Sequence, residues 1–272
     1  MRPVQTPTGM LRRWSERLLG TLVRKCRLPP DMGGGPIFIS GRAGGMKYVL
    51  RAIADCDAEL LRIARLLVRR GDTVWDIGAN LGLFSCAAAH FAGAAGEVFA
   101  IEPDRDVVAL LARTAAAQDA EHAPIRVIPT VISDRAGLAH FAIAARARAA
   151  NALQDFGTTQ MGGVAESRLL PALTLDVLLE DLKPPQVLKI DVEGAETKVL
   201  GGATTLLRFA RPAIHIEVSA ESRAAVTQLL RAHDYRLWDG ATFDGSEGGQ
   251  LAAAADNTVA IPAEKLPWKK RP

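Results

Sequence analysis

Asp76, Gly78, Asn80 and Gly82 alternate through the stretch Val74-Trp75-Asp76-Ile77-Gly78-Ala79-Asn80-Leu81-Gly82-Leu83-Phe84-Ser85, and Glu102 closes the next apolar run, Val98-Phe99-Ala100-Ile101. An apolar strand here enters a Gly-spaced turn and then a helix, which presents helix N–H groups and bare backbone to a nucleotide-like ligand. A dinucleotide site wants G-x-G-x-x-G, whose middle glycine clears a pyrophosphate. Asn80 and Leu83 stand where the second and third glycines belong. Asn tolerates the left-handed backbone that Gly usually supplies. The turn therefore suits a ligand with a compact polar end, such as the amino-acid portion of S-adenosylmethionine. Glu102, twenty residues past Gly82, is placed to accept both ribose hydroxyl protons.

A second group sits in Lys189-Ile190-Asp191-Val192-Glu193-Gly194-Ala195-Glu196. Two carboxylates and a glycine turn follow a buried strand directly. Asp191 beside the ligand would have its proton affinity altered by burial and neighbours, which makes abstraction of a hydroxyl proton feasible. His215, between Ile214 and Ile216, is either a satisfied core histidine or a base. An Mg²⁺-assisted version would use Asp191 and Glu217, but carboxylates at a strand rim do not by themselves indicate a metal, and no metal site is assigned.

These residues need a scaffold that brings strand ends together. From residue 57 the chain alternates helix and strand patterns. A helix over Ala58 to Val68 leads into strands at Thr73 to Ile77 and Glu97 to Ile101. A helix started by Pro103-Asp104 follows, then a third strand over Ile125 to Ile132, whose Pro129 implies an edge or a bulge. Leu138 to Ala144 reads as a short strand, and Leu173 to Leu182 as a strand start and short helix. Gln186 to Ile190 and Ala213 to Val218 are strands, the latter followed by a helix capped by Ser219. Tyr235 to Trp238 and Asn257 to Ile261 form a closing hairpin. Parallel βα units of this kind predict a Rossmann-like, doubly wound α/β fold, with a mostly parallel seven-stranded sheet ending in an antiparallel hairpin. Ligands bind such sheets at the strand carboxyl ends, where Asp76, Glu102, Ser133, Asp134, Asp191, Glu193 and Glu217 fall. Residues 145–170 show no sustained period and read as an irregular insert.

The 272 residues, 49% apolar and 23% charged, describe an ordinary globular chain with length for a sizeable core. A net charge of +3 is too weak to argue for nucleic acid, and no basic stripe interleaved with aromatics supports one. Cys26, Cys56 and Cys86 form no metal-ligand spacing and cannot all pair, which fits a reducing cytoplasm, and Cys86 reads as a small core residue. No run approaches the roughly eighteen apolar residues of a membrane span, and no secretory signal is read. Residues 1–50 form a basic extension in which Leu11, Trp14, Leu18, Leu22 and Val23 recur at helical spacing. Such a helix either docks its stripe on the main domain, the favoured arrangement, or lies on an anionic membrane surface through residues 10–25.

Taken together, Asp76-Ile77-Gly78-Ala79-Asn80-Leu81-Gly82, Ile101-Glu102-Pro103, Val131-Ile132-Ser133-Asp134, Gly201-Gly202-Ala203 and above all Lys189 to Glu196 resemble the FkbM-type methyltransferases. The resemblance runs from about residue 57 to about 262 and makes 51–272 the methyltransferase domain. It implies a class I S-adenosylmethionine-dependent enzyme, usually acting on hydroxyl oxygens of a small molecule, natural product or sugar. Asp76, Gly78, Asn80 and Gly82 would then hold the methionine end, with Ala79, Pro103 and Asp191 also at the cofactor. Glu102 would take the ribose, and Ser133 and Asp134 would lie near the adenine. Asp191 and Glu193, with His215 as a further base, would face the methyl group and acceptor. The first fifty residues and the insert depart from the shared pattern, which is where acceptor choice would be decided. A nicotinamide-dependent oxidoreductase is disfavoured by Asn80 and Leu83 and by the lack of a Tyr-x-x-x-Lys pair, Tyr48 and Tyr235 being the only tyrosines. A non-catalytic binding module of the same fold is the other alternative.

Overall fold

The computed structural model describes residues 22–40, 57–144, 152–153 and 164–268. Strands run β1 (Val23–Arg27), β2 (Pro36–Ser40), β3 (Thr73–Ile77), β4 (Glu97–Ile101), β5 (Ile125–Ile128), β6 (Val131–Ile132), β7 (Gly137–Ala144), β8 (Ala152–Leu153), β9 (Val164–Leu173), β10 (Val187–Ile190), β11 (Ala213–Glu217), β12 (Tyr235–Asp239), β13 (Gln250–Leu251) and β14 (Asn257–Pro262). Helices are α1 (Ala58–Leu67), α2 (Leu83–Ala92), α3 (Arg105–Ala116), α4 (Leu175–Asp181), α5 (Glu196–Gly201) and α6 (Arg223–Ala232).

The main sheet has the order β13-β12-β14-β11-β10-β3-β4-β5. Its five strands from β11 to β5 are parallel, and β14 inserts antiparallel between β11 and β12. The expected seven strands and closing hairpin are present, with the two-residue β13 added at the edge. Central strands bury both faces, so their residues alternate between two cores. Val74, Val98 and Val187 pack with α1, α2 and α3, while Trp75, Ile77, Leu188 and Ile190 pack with α4, α5 and α6.

Three local expectations change. The third strand breaks at Pro129-Thr130: β5 remains as the edge of the main sheet, and β6 crosses into a separate sheet of order β6-β9-β7-β8. Residues 164–170, expected within an irregular insert, belong to β9, which pairs antiparallel with β7. Their alternation was hidden by Glu166, Arg168 and Pro171, which face ion pairs or solvent rather than a core. Ser219 does not cap α6; Ser222 occupies the N-cap and makes no capping bond from its side chain.

The proposed N-terminal helix falls mostly outside the described residues. Its last members, Val23, Arg24 and Lys25, lie in β1, paired with β2. Leu28, Met32, Ile37 and Ile39 join the core over α1 and α2. Cys86 is buried in that core, as expected. Among the described residues no helix is long and apolar enough to cross a membrane.

Candidate active site

Over the carboxyl ends of β3, β4, β10 and β11 lies a cavity of about 230 Å³. Gly78, Ala79, Asn80, Glu102, Pro103, Asp191 and Glu193 all line it. The first turn is shaped by its own backbone. Gly78 (φ +73°), Asn80 (φ +50°) and Gly82 (φ +85°) are left-handed, as the alternation of Gly and Asn requires. Gly78 and Ala79 donate their N–H groups to Ile101 O, each at 3.0 Å. Gly78 is needed for contact as well: a Cβ there would stand 1.8 Å from the carbonyl oxygen of Asp191. The glycine thus lets the two motifs touch, and α2 beyond it begins without any side-chain cap.

Glu102 is 8% exposed. One of its oxygens accepts the Asn80 N–H at 3.0 Å and the other the Asp104 N–H at 2.8 Å. Each carboxylate oxygen has a second lone pair to offer a ligand hydroxyl. Burial pushes the pKa of Glu102 up to about 7, partly opposed by those two bonds.

Asp76 lies beneath the cavity wall, fully buried. It accepts from Ser85 Oγ at 2.6 Å, and Lys189 Nζ stands 3.2 Å from its other oxygen. Strand register explains the pairing, because Lys189 sits opposite Asp76 on one side and His215 on the other. Lys189 also donates to Gly78 O at 2.8 Å and pairs with Asp191 at 3.3 Å. Its pKa is driven upward by Asp191, Asp76 and Glu217 against the cost of burial. One buried ammonium therefore ties both motifs together.

His215 does not line the cavity. Burial and the Lys189 ammonium lower its pKa to about 4, which favours the neutral ring, and neither ring nitrogen finds a partner among the described residues. Ser133 and Asp134 are also not brought to the cavity. They line a separate depression of about 420 Å³ with Arg135 and Lys198. The wall where an adenine was expected is formed instead by Thr130, Val131, Ile132 and Phe141. Asp57 and Leu60, at the start of α1, complete the cavity and were not anticipated. Lys189 was visible as a lysine inside an apolar run, which demands a buried partner.

The residues present fit S-adenosylmethionine. Glu102 has lone pairs for a diol, Asp191 is a carboxylate for a cationic end, and the apolar Val131, Ile132 and Phe141 offer a slot for a flat base. Among the described residues no group of three or more His, Cys, Asp or Glu is placed to hold a metal ion.

The strand order, the cavity over the strand ends and the acidic residue closing β4 define a class I methyltransferase fold. The family model described as the methyltransferase FkbM domain matches residues 76–237. The chain belongs to the FkbM methyltransferase family. It is 28% identical over 179 residues to the hexuronic acid methyltransferase AglP of Haloferax volcanii, covering 64% of this chain and 67% of that one. Among solved structures it is similar to the methyltransferase FkbM from Methylobacillus flagellatus KT, with 15% identity and a TM-score of 0.45. That match covers 74% of this chain, which spans 50% of the length of that one. It is also similar to TYW2 of M. jannaschii in complex with AdoMet, with 11% identity over 84% of this chain and 80% of that one and a TM-score of 0.43.

Proposed function

We propose that the chain is an S-adenosylmethionine-dependent O-methyltransferase that methylates a hydroxyl of a small molecule, natural product or sugar. The observation that carries this is the shared cavity: the diol-binding carboxylate of Glu102 and the Asp191–Glu193 pair face one space of about 230 Å³. The relative named for a hexuronic acid supports a carbohydrate acceptor. When bound, the cofactor supplies a methyl group on a sulfonium, a leaving group that needs no protonation. The protein's task is then to align the acceptor oxygen and receive its proton.

Glu102 and the turn from Gly78 to Gly82 hold the nucleoside and methionine ends. Asp191, paired with Lys189, supplies a carboxylate on the cofactor side. Glu193 takes the acceptor's proton. Glu193 is exposed over much of its surface at the cavity edge, and partial desolvation of its carboxyl, followed by the nearby Asp191 and Glu196 carboxylates, pushes its pKa upward, toward that of a base working near neutral pH. Its hydroxyl partner then attacks as the proton leaves.

Titrating the purified protein with S-adenosylmethionine and with NAD, followed by thermal unfolding, tests the cofactor. S-adenosylmethionine should bind and stabilise, and Gly78→Arg should abolish both effects. Stabilisation by NAD alone would establish the oxidoreductase alternative instead. Mass spectrometry of a panel of glycosides and phenols should then show gain of one CH₂ unit. Cofactor binding without turnover on any hydroxyl acceptor would favour the non-catalytic module.

A further inference from the structure

Glu196 is a buried carboxylate that methyl transfer does not consume. It is 2% exposed, yet among the described residues no cation is paired with it. One oxygen accepts the Gly194 N–H at 2.6 Å. The other accepts Ser222 Oγ at 2.6 Å and Ser219 Oγ at 3.1 Å. The two hydroxyls are themselves 2.7 Å apart. Ser219 and Ser222 belong to the connection between β11 and α6, so Glu196 bridges the turns that follow two neighbouring strands.

Two features of the flanking turns bear on this bridge. Ser222 occupies the N-cap of α6, where a serine normally accepts a helix N–H. Its hydroxyl is directed to Glu196 instead. On the other side, Glu193 has φ +49° and Gly194 φ +95°. A glutamate in that region is strained by about 1 kcal/mol or more and persists only where its surroundings hold it. The Gly194 N–H to Glu196 bond, 2.6 Å long, lies directly on that turn.

We infer that Glu196 is the positioning residue of the active site: it locks the strained Glu193–Gly194 turn so that Glu193 faces the cavity, and it sets a second, buried carboxylate beside the Glu193 carboxyl. This rests on Glu193 being the base. Among the described residues, the charged groups that act on Glu193 are Asp191 at the end of β10 and Glu196 on α5, with Glu217 at the end of β11 on the same cavity. Lys189, which also lines the cavity, is held by Asp76, Asp191 and Gly78 O. Negative neighbours therefore dominate, and they favour the protonated form.

The test separates the charge from the bonds. Glu196→Gln keeps the acceptor for Gly194 and turns the other atom into a donor that the serine hydroxyls can accept. In protein labelled with ¹³C at glutamate carboxyls, assigned with Glu193→Gln, the Glu193 midpoint should fall by about half a pH unit in Glu196→Gln. Affinity for S-adenosylhomocysteine should stay within about twofold. The paired Ser219→Ala, Ser222→Ala variant keeps the charge and loosens the turn. The Glu193 midpoint should stay raised while exchange of the Gly194 amide quickens about tenfold or more. An unmoved Glu193 midpoint in folded Glu196→Gln overturns the inference. So does unchanged Gly194 exchange in the serine variant, which also serves if Glu196→Gln does not fold. Absence of S-adenosylhomocysteine binding by the wild type would instead sink the methyltransferase proposal, leaving the coupling of Glu196 to Glu193 measurable.

Discussion

The turns after β3 and β10 meet over one cavity but are built by different means. The turn from Asp76 to Gly82 satisfies itself through main-chain bonds to Ile101 O, a Gly82 to Ala79 bond and the Glu102 carboxylate. Three left-handed residues shape it, and two of them are glycines. The turn from Asp191 to Glu196 leans on buried side chains. Lys189 holds it from below and Glu196 ties it to the next loop. A turn held mostly by main-chain bonds is less sensitive to the protonation state around it. A turn held by charges keeps its form only while those charges persist, and it can place an ionisable group where chemistry needs one. The division fits a cofactor that must be held constantly and an acceptor whose proton must move.

Lys189 is the single atom group on which both turns depend, so its loss should have the largest effect. Lys189→Met removes the partner of a fully buried Asp76 and of Asp191. Breaking a buried pair in this way costs about 3–5 kcal/mol. Urea unfolding should show that loss, and adding Asp76→Asn should recover part of it by removing the stranded charge. A double variant as unstable as the sum of the two singles would mean that Asp76 and Lys189 act separately.

Contact between the turns is probed next by Gly78→Ala. The added methyl would stand 1.8 Å from Asp191 O at a residue with φ +73°. Strain in the left-handed region and overpacking together cost on the order of 3 kcal/mol. Affinity for S-adenosylhomocysteine should fall with it in calorimetry. Unchanged stability would show that the two turns do not press on one another.

Acidity distinguishes the turns in a different way. The pKa of Glu102 in the folded chain, about 7, lies above the ordinary 4.5. The folded state therefore binds this proton more tightly than the unfolded state. Its stabilising contribution is complete below pH 4.5 and is lost as pH rises through 7, a change of roughly 3 kcal/mol for a group burial has raised. The stability of the ligand-free wild type should fall with pH relative to Glu102→Gln over that window. Ligand affinity should run the opposite way, because only the ionised carboxylate accepts from both ribose hydroxyls. S-adenosylhomocysteine should bind about fivefold more tightly at pH 7 than at pH 6. Parallel stability curves for the two proteins would remove Glu102 from this role.

The same contrast explains what could be read from the residues alone. Alternating Gly and Asn announce left-handed backbone, and Glu102 follows at a fixed distance, so the β3 and β4 ends were legible. The parallel strands announced themselves by apolar runs such as Val187 to Ile190, apart from the lysine inside. Thr130 to Ile132 and Phe141 were not legible as cavity residues. They reach it only because β6 leaves the main sheet and β7 pairs with β9 across a separation of some thirty residues. Arg168 is part of that hidden assembly, bonding Asp104 at the N-cap of α3 at 3.0 Å from a strand that read as irregular. Glu196 was visible, but its serine partners come from the far side of β11. Spacing along a chain reports turns; it does not report which loops will share a carboxylate.

The smallest predicted effect isolates the backbone character of the first turn. Asn80 has φ +50°, and its N–H rather than its side chain makes the bond to Glu102. Asn80→Gly should therefore be nearly neutral, within about 0.5 kcal/mol, since glycine adopts this φ freely and only unfolded-state entropy opposes it. Asn80→Ala places a Cβ in the left-handed region without the local bonding that Asn offers, and should cost about 1 kcal/mol. Both variants keep the N–H, so both should retain ligand affinity once folded. If Asn80→Gly instead lost affinity tenfold at unchanged stability, the Asn80 side chain would be a direct ligand contact, and the cofactor turn would depend on side chains as the acceptor turn does.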